Sequence, residues 1–253
     1  MIAKTGIVLT LLAVMMFAAT EALAAGPVDV KAELGVQSKY VFRGYLLSDG
    51  PVVQPSVTVK LKGLSLGLWG NMDLSDESDF DTKKTGEMNE VRATLRYNRS
   101  FVLLNVSAGV IHYMYPYKAY ESATTEIFVH AGGTVPGHPA VTIYKDVDEA
   151  EGLYGEITAS QTIPIGLLFG LEISGGLGLG SKEYNKFYFK KKDFTLTDVR
   201  VDLGVPIGIG ELVKIRPGVT YTGILNSDIR DTLDAKDIND QNVYFGITAS
   251  VSF

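Results

Sequence analysis

The stretch Val243–Phe253, V-Y-F-G-I-T-A-S-V-S-F, decides the fold of this chain. Every second residue in it, from Val243 to Phe253, is apolar, whereas the residues between them are Tyr, Gly, Thr and Ser. A period of two is typical of a β-strand, because successive side chains point to opposite faces of a sheet. The stretch therefore predicts a strand with one apolar face and one small, polar face.

The same alternation recurs along most of the chain, and long polar loops alternate with short turns between the segments. This pattern predicts an all-β protein, an up-and-down antiparallel barrel of about 12 strands. The expected strands lie near 28–43, 51–61, 64–74, 87–98, 101–115, 122–132, 139–147, 152–163, 166–180, 194–205, 212–223 and 241–253. The seventh is the weakest, because Pro139 opens it.

A soluble barrel also has one apolar and one polar face, so further features are needed to choose between a soluble barrel and a membrane barrel. The polar rows are rich in Gly, Ser and Thr, which suits a narrow lumen, and the even strand count matches bacterial outer-membrane barrels. Aromatic residues near strand ends resemble interfacial girdles; they are Tyr40, Phe42, Tyr97, Phe169, Tyr221, Phe245 and Phe253. We therefore expect a multi-pass transmembrane β-strand protein of a Gram-negative outer membrane. Phe253 at the end of an apolar strand resembles the C-terminal signal read by the barrel-assembly machinery.

The first residues have the build of a secretory signal peptide. Lys4 supplies a positive charge, Ile7–Ala19 is apolar, and Ala22 and Ala24 are small residues at the positions that a signal peptidase needs. The apolar run is shorter than the ~20 residues of a membrane-spanning helix. We expect residues 1–24 to be a cleaved signal peptide and residues 25–253 to be the barrel domain.

The composition excludes several classes of protein. The 253 residues contain no cysteine, so disulfide frameworks, thiolate metal sites and catalytic cysteines are excluded. A formal charge of −6 with three histidines argues against a nucleic-acid partner, because phosphate binding needs a clustered basic surface. We expect no cofactor and no metal. The mean hydropathy of +0.14 lies between soluble domains and bundles of membrane helices.

Three blocks in the first half of the mature chain carry a family resemblance. They are the segment 38–44, S-K-Y-V-F-R-G, followed by S-D-G at 48–50; the segment 68–73, L-W-G-N-M-D; and the segment 113–116, Y-M-Y-P. These blocks resemble the TorF-type porin family of outer-membrane proteins. In that family Ser-Asn usually follows the Trp-Gly pair, whereas here Asn71 follows Gly70 directly. The resemblance implies a barrel and a porin-like function, and it supplies no solute.

If the polar rows face inward, nine acidic and nine basic residues line the lumen. Two interpretations remain open: a narrow, weakly selective pore for small hydrophilic solutes, or a lumen closed by mutual salt bridges. Trp69, the only tryptophan, either stacks a solute or packs beside Arg43 or Arg92 through a cation–π contact, and we favour packing. The predicted pore lining is Arg43, Trp69, Arg92, Arg96, Glu156, Arg200 and Arg216.

The loops carry two weaker signals. Lysines interleaved with aromatic residues at 182–192 could contact lipopolysaccharide phosphates or fold inward as a constriction; the lysines singled out are Lys186, Lys190, Lys191 and Lys192. Acidic segments at 75–81 and 228–240 could bind Ca²⁺, but the D-x-D-x-D-G order is absent, which favours solvated loop tips.

The sequence offers little for catalysis. Outer-membrane hydrolases use a serine activated by histidine, and none of His112, His130 and His138 has a serine two residues away on its own face. We therefore expect a channel and not an enzyme. The alternatives are a closed structural or surface-interaction barrel whose loops bind a partner and, third, a lipid hydrolase. Outer-membrane lipid and lipopolysaccharide are expected contacts in each case.

Overall fold

A computed structural model describes residues 28–75, 85–86, 88–116, 122–166 and 169–253. The predicted signal peptide, residues 1–24, lies outside the described residues, as does most of the acidic segment 75–81. The elements are β1 Asp29–Gln37, β2 Tyr40–Phe42, β3 Tyr45–Ser48, β4 Val52–Leu61, β5 Leu64–Asp73, β6 Met88–Ser100, β7 Leu104–Met114, β8 Thr124–Gly133, β9 Ala140–Asp146, β10 Leu153–Pro164, β11 Gly170–Gly180, α1 Lys182–Phe189, β12 Thr195–Gly204, β13 Ile207–Ile209, β14 Val213–Ile224, α2 Ser227–Asp234 and β15 Gln241–Ser252.

Within the described part of the chain, twelve strands form a closed ring. Each pairs antiparallel with its neighbours, in the order β1, β4 to β12, β14 and β15, and β15 pairs with β1 to close the barrel. The short β13 extends the ladder on β14. The predicted up-and-down barrel of about twelve strands is confirmed. Closure leaves no sheet edge, which is the condition for a sheet to lie in lipid.

The two faces of the strands differ in exposure. On β5, Leu64, Leu66 and Leu68 are about half exposed, at 48%, 55% and 48%, whereas Ser65 between them is 8% exposed. On β15, Phe245 is 65% exposed. The apolar rows therefore face outward and the polar rows face the lumen, as in outer-membrane barrels.

The two ends of the barrel also differ. The start of β1, the C-terminus and the short turns lie at one end, here called the turn end. Helices α1 and α2 lie at the other, the loop end. Among the described residues, no helix is long and apolar enough to cross a membrane. The weakly predicted seventh strand, 139–147, is confirmed as β9.

Two expectations at the loop end are wrong. The segments 182–192 and 228–240, which the sequence pattern places in loops, contain most of α1 and α2, which begin after the N-caps Ser181 and Asn226. The first predicted strand, 28–43, ends at Gln37, and β2 and β3 form a separate hairpin, here called the plug hairpin, Tyr40–Ser48. Tyr40 and Phe42 therefore belong to this hairpin and not to an outward aromatic girdle.

Candidate functional site: the lumen of the barrel

The plug hairpin crosses the lumen from one wall towards the opposite one. It leaves the wall after β1 and rejoins it at β4, and its two-residue turn consists of Arg43 and Gly44. Both have positive φ angles, 48° and 81°, as a type I′ turn requires. A Cβ atom at Gly44 would lie 2.6 Å from Ile224 Cδ1 and 2.7 Å from Asp198 Cβ, so glycine permits this close approach to the wall.

Arg43 fixes the tip of the hairpin to β8. Its Nη1 and Nη2 atoms donate to the two carboxylate oxygens of Glu126 at 2.7 and 2.8 Å. Because β8 is the fifth strand from β1 around the ring, the ion pair joins nearly opposite walls. The Tyr113 hydroxyl also donates to Glu126, at 2.7 Å. The side chains of Arg43 and Glu126 are only 9% and 3% exposed, so this is a buried bidentate pair.

Four aromatic rings surround the Arg43 guanidinium. Its Cζ atom lies 4.2 Å from the ring centre of Tyr154, 4.5 Å from that of Tyr144 and 4.7 Å from that of Phe42. Tyr184 of α1 is the fourth, at 5.7 Å. Each ring face attracts the cation, most strongly where water is excluded. The tip is therefore held by contacts with three other elements, β9, β10 and α1.

The protonation states at the loop end follow from burial and pairing. Burial alone lowers the pKa of Arg43, but the Glu126 carboxylate together with the Tyr184 and Tyr113 phenols outweighs it, so the pKa lies well above its ordinary value and the group stays charged. Burial raises the pKa values of the Tyr40 and Tyr184 phenols well above their usual range. Both phenols therefore remain neutral hydrogen-bonding groups at physiological pH.

A second group of side chains holds the base of the hairpin. The Tyr40 hydroxyl donates to Glu90 Oε2 at 2.9 Å and accepts from Arg92, whose Nε donates to Glu90 Oε1 at 2.5 Å. The Trp69 ring centre lies 4.3 Å from the Arg92 Cζ atom and 5.8 Å from the Tyr40 ring centre. Trp69 and Arg92 are direct partners in the pairing of β5 with β6. These contacts agree with the packing interpretation of Trp69 and identify Arg92 as its cation.

Helices α1 and α2 pack inward against the hairpin. The Ser181 hydroxyl accepts from Tyr184 N and the Asn226 side chain accepts from Ile229 N, which begins each helix. Their apolar faces form a buried cluster with the barrel wall, against which Tyr45 of the hairpin packs; its buried members are Tyr154, Tyr184, Phe189, Ile224, Ile229 and Leu233. The loop end of the lumen therefore contains a small hydrophobic core.

Between the hairpin and the turn end, the lumen is charged and wet. Glu172 accepts from Lys214 at 2.8 Å and from Arg216 at 2.5 Å, and Arg216 also pairs with Asp202. Arg200 donates to Glu156 at 3.2 Å, yet its side chain is 48% exposed. These pairs resemble hydrated surface ion pairs more than buried ones.

One wall of the turn end holds a cavity of about 660 Å³, here called the turn-end chamber. It is formed by β1, β4, β5 and β6, and Trp69 lies at its inner side. Its polar and charged lining consists of Asp29, Lys31, Glu33, Ser56, Thr58, Lys60, Lys62, Ser65, Trp69, Thr94, Arg96 and Asn98. Four cations thus share this chamber with two carboxylates.

All seven predicted lining residues border the lumen, in three different settings. Arg43, Trp69 and Arg92 hold the plug hairpin; Glu156, Arg200 and Arg216 belong to the exposed ion pairs; Arg96 lines the chamber. Their part in conduction stays a prediction.

The predicted loop and C-terminal residues lie at opposite ends of the barrel. Lys186 lies on the exposed side of α1, and Lys190 ends the helix in the left-handed conformation, followed by Lys191 and Lys192. At the turn end, Phe253 exchanges two backbone hydrogen bonds with Val30, of 2.9 and 3.1 Å. The C-terminus is thereby tied to β1.

Sequence reasoning missed the residues that receive the hairpin. They are Tyr113, Tyr144 and Tyr154 on inward rows of strands, Tyr184 of α1, and the inward acid Glu126. A signal existed for three of them, because Tyr113, Tyr144 and Tyr154 have the same parity as inward polar residues of their strands. Among the described residues, no group of three or more His, Asp or Glu side chains could hold a metal ion.

The sequence profile of one bacterial family, described as "Bacterial protein of unknown function (Gcw_chp)", matches residues 21–195. The chain belongs to this family. The description of the Gcw_chp family supplies no activity, and the TorF-type label from the sequence resemblance stays a prediction. No curated protein matches the chain.

Solved structures share the fold of this Gcw_chp protein. A structure titled "KdgM porin" matches with a TM-score of 0.53 and 9% identity, over 88% of this chain and 99% of that one. A structure of the NanC porin matches with a TM-score of 0.53 and 11% identity, over 88% of this chain and 98% of that one. LpxR from Salmonella typhimurium matches with a TM-score of 0.51 and 10% identity, over 88% of this chain and 99% of that one. At these identities the likeness concerns the fold alone, a porin-like outer-membrane barrel.

Proposed function

We propose that this protein is a narrow channel for passive diffusion of small hydrophilic solutes across a bacterial outer membrane, with the plug hairpin as its constriction. The observation that carries the proposal is the polar, solvent-exposed lumen on the turn side of the hairpin, where the Arg200 and Lys214 side chains are each 48% exposed. A lumen that served only as a structural core would bury such charges in pairs. The fold shared with two porins supports the same function.

The outer-membrane location is part of the proposal. The apolar outward rows need a lipid environment, because they would otherwise expose a continuous apolar belt to water. With the turn end in the periplasm, Phe253 would meet the barrel-assembly machinery there. Lys186, Lys190, Lys191 and Lys192 at the loop end would then lie near lipopolysaccharide phosphates.

The test removes the hairpin while keeping the barrel. Gln37 of β1 is paired with Val52 of β4, so residues 38–51 can be replaced by Asn-Gly, which closes a two-residue hairpin between these strands. In planar bilayers we expect small conductance steps from the wild type and larger steps from the shortened variant. In liposome swelling with sugars of graded size, the variant should admit larger sugars. Circular dichroism of both refolded proteins checks that the barrel forms.

The second candidate is a closed structural or surface-interaction barrel whose loops bind a partner. The observation in its favour is the loop-end core, in which Ile229 and Leu233 of α2 are at most 1% exposed. If neither the wild type nor the shortened variant passes ions or sugars, the channel function is wrong and this candidate replaces it. Incubation of the refolded protein with phospholipid tests the lipid-hydrolase alternative in the same preparation.

A further inference from the structure

The charges of the lumen are balanced in number but not in space. Four acids near the plug hairpin and on the far wall pair with cations: Glu126 with Arg43, Glu90 with Arg92, Glu156 with Arg200, and Glu172 with Lys214 and Arg216. Asp198, beside the hairpin tip, instead accepts from the Tyr154 and Thr197 hydroxyls. Cations are left over in the turn-end chamber. This separation arises from which strands are neighbours, and the total charge of the lumen conceals it.

Within the described residues, the chamber cations Lys60, Lys62 and Arg96 form no ion pair. Lys31 pairs with Glu33 at 2.7 Å, which leaves Asp29 as the only other carboxylate among the described lining residues. The chamber therefore has an excess of two positive charges. A concave site lined by one sign of charge raises the local concentration of ions of the opposite sign.

The remaining lining is suited to hydroxyl groups. Four hydroxyl side chains line it: Ser56 and Thr58 on β4, Ser65 on β5 and Thr94 on β6. Asn98 adds an amide. Each hydroxyl both donates and accepts hydrogen bonds. Trp69 borders the chamber with an aromatic ring. A volume of about 660 Å³ is within the range of small-molecule sites.

We propose that the turn-end chamber binds a small, hydroxyl-rich organic anion. Lys60, Lys62 and Arg96 attract its negative charge, and the serine and threonine side chains bind its hydroxyl groups. The inference rests on the proposed channel function, since the chamber is the turn-side part of the same lumen, and it names the class of solute that the channel would favour.

The single tryptophan provides a measurement that needs no conduction. Trp69 fluorescence of the refolded protein, in a nonionic detergent without a sugar headgroup, is quenched with iodide, with caesium and with neutral acrylamide. We expect the quenching constant for iodide to exceed that for caesium by about threefold, because the excess cations concentrate anions at the ring. A caesium constant equal to or above the iodide constant would overturn the proposal.

Two triple variants locate the effect. In K60Q/K62Q/R96Q we expect the iodide and caesium constants to become equal within about 1.5-fold, since the chamber loses its excess positive charge. The control K190Q/K191Q/K192Q removes the same charge at the loop end and should retain the wild-type ratio. An equal fall of the iodide-to-caesium ratio in both variants would mean that the overall charge of the protein, and not the chamber, sets this ratio. If the chamber triple variant does not refold, Arg96→Gln alone should lower the ratio, and an unchanged ratio contradicts the proposal.

Ligand class is tested by titration of the same fluorescence with gluconate and sorbitol, which share a six-carbon polyhydroxyl chain and differ in charge. We expect a saturable signal with gluconate at a concentration at least about tenfold lower than with sorbitol, a difference lost in the chamber variant. Equal responses would refute the anion preference, and no saturable response to gluconate would refute the site. If the protein binds gluconate but passes no current, the binding site is supported and the channel function is wrong. If it conducts but does not bind gluconate, the channel function is supported and the binding site is wrong.

Discussion

The loop-end and turn-end parts of the lumen contain the same kinds of ion pair in different surroundings. Arg43 and Glu126 at the loop end are 9% and 3% exposed and lie among aromatic rings, whereas Arg200 and Glu156 below the hairpin are 48% and 22% exposed. A pair shielded from water interacts more strongly, and it costs more to break, because either partner alone is a buried charge. The loop-end pair therefore serves mainly to hold the hairpin, and the pairs on the turn side remain exposed to solvent.

The two ends of the lumen differ because their interior side chains come from different elements. The wall is the same twelve-stranded ring throughout, but the plug hairpin, α1 and α2 supply side chains to one end only. At that end apolar burial and a buried ion pair replace water. At the other end the wall alone forms the lining, and its charges stay hydrated.

The largest effect is expected from Arg43→Met, which leaves Glu126 buried without its cation. We expect a loss of about 3–5 kcal/mol in the free energy of unfolding, the usual cost of breaking a buried pair from one side. Thermal unfolding of the refolded protein, followed by circular dichroism, measures it. The double variant R43M/E126L removes both charges and should recover most of the loss. If the double variant is no more stable than the single one, the unpaired charge is not the cause.

A smaller effect is expected at the boundary between the two parts, from Trp69→Ala. Trp69 is partly exposed and packs against Arg92 and Tyr40, so we expect a loss of about 2–3 kcal/mol, below the range for a fully buried aromatic residue. Liposome swelling by small sugars should remain at the wild-type rate if Trp69 acts only in packing. Reduced swelling at unchanged stability would instead support solute stacking.

Two glycines with almost the same φ angle compare the two ends directly. Gly44 has φ +81° and Gly137, in a turn at the turn end, has φ +83°, but only a Cβ at Gly44 would meet other atoms within 4 Å, on Ile224 and Asp198. Each change to Ala costs ~1–2 kcal/mol for the left-handed backbone. We expect Gly44→Ala to cost about 1 kcal/mol more than Gly137→Ala, because the hairpin tip must move away from the wall. Equal unfolding midpoints would mean that the tip does not press on the wall.

The wall could be predicted from the sequence because lipid imposes one simple rule on every strand. The segment predicted at 241–253 is β15, Gln241–Ser252, and its apolar row faces outward. Each strand reports its own orientation through its own residues, so no knowledge of distant contacts is needed.

The plug hairpin could not be predicted in this way. Val41 and Phe42 continue the apolar character of β1, and the partner of Arg43 lies 83 residues away. Local alternation contains no information about a contact at that separation. The helix starts were easier to predict, because Ser181 and Asn226 are typical N-cap residues.

The candidate site was predicted in part. Six of the seven lining residues border the lumen because parity determines which way a strand residue points, whereas Arg43 reaches the lumen from the turn of the plug hairpin. Parity predicted equal numbers of inward acids and bases. It could not predict that Lys60, Lys62 and Arg96 would lie together in one chamber without forming ion pairs. That grouping depends on the ion pairs formed across the lumen, such as Arg216 of β14 with Glu172 of β11.

The smallest effect is expected from Arg200→Ala, and it sharpens the comparison with Arg43. Because Arg200 is 48% exposed and Glu156 22% exposed, water can replace the lost partner, and we expect a change of at most about 1 kcal/mol in the free energy of unfolding. Thermal unfolding at low salt and at about 0.5 M salt adds a second criterion, since salt screens hydrated pairs but hardly affects buried ones. The small loss in Arg200→Ala should disappear in high salt, whereas the loss in Arg43→Met should persist. A salt-independent loss of about 3 kcal/mol at Arg200 would mean that the turn-side lumen is as dry as the loop end, which would remove the physical basis for conduction through it.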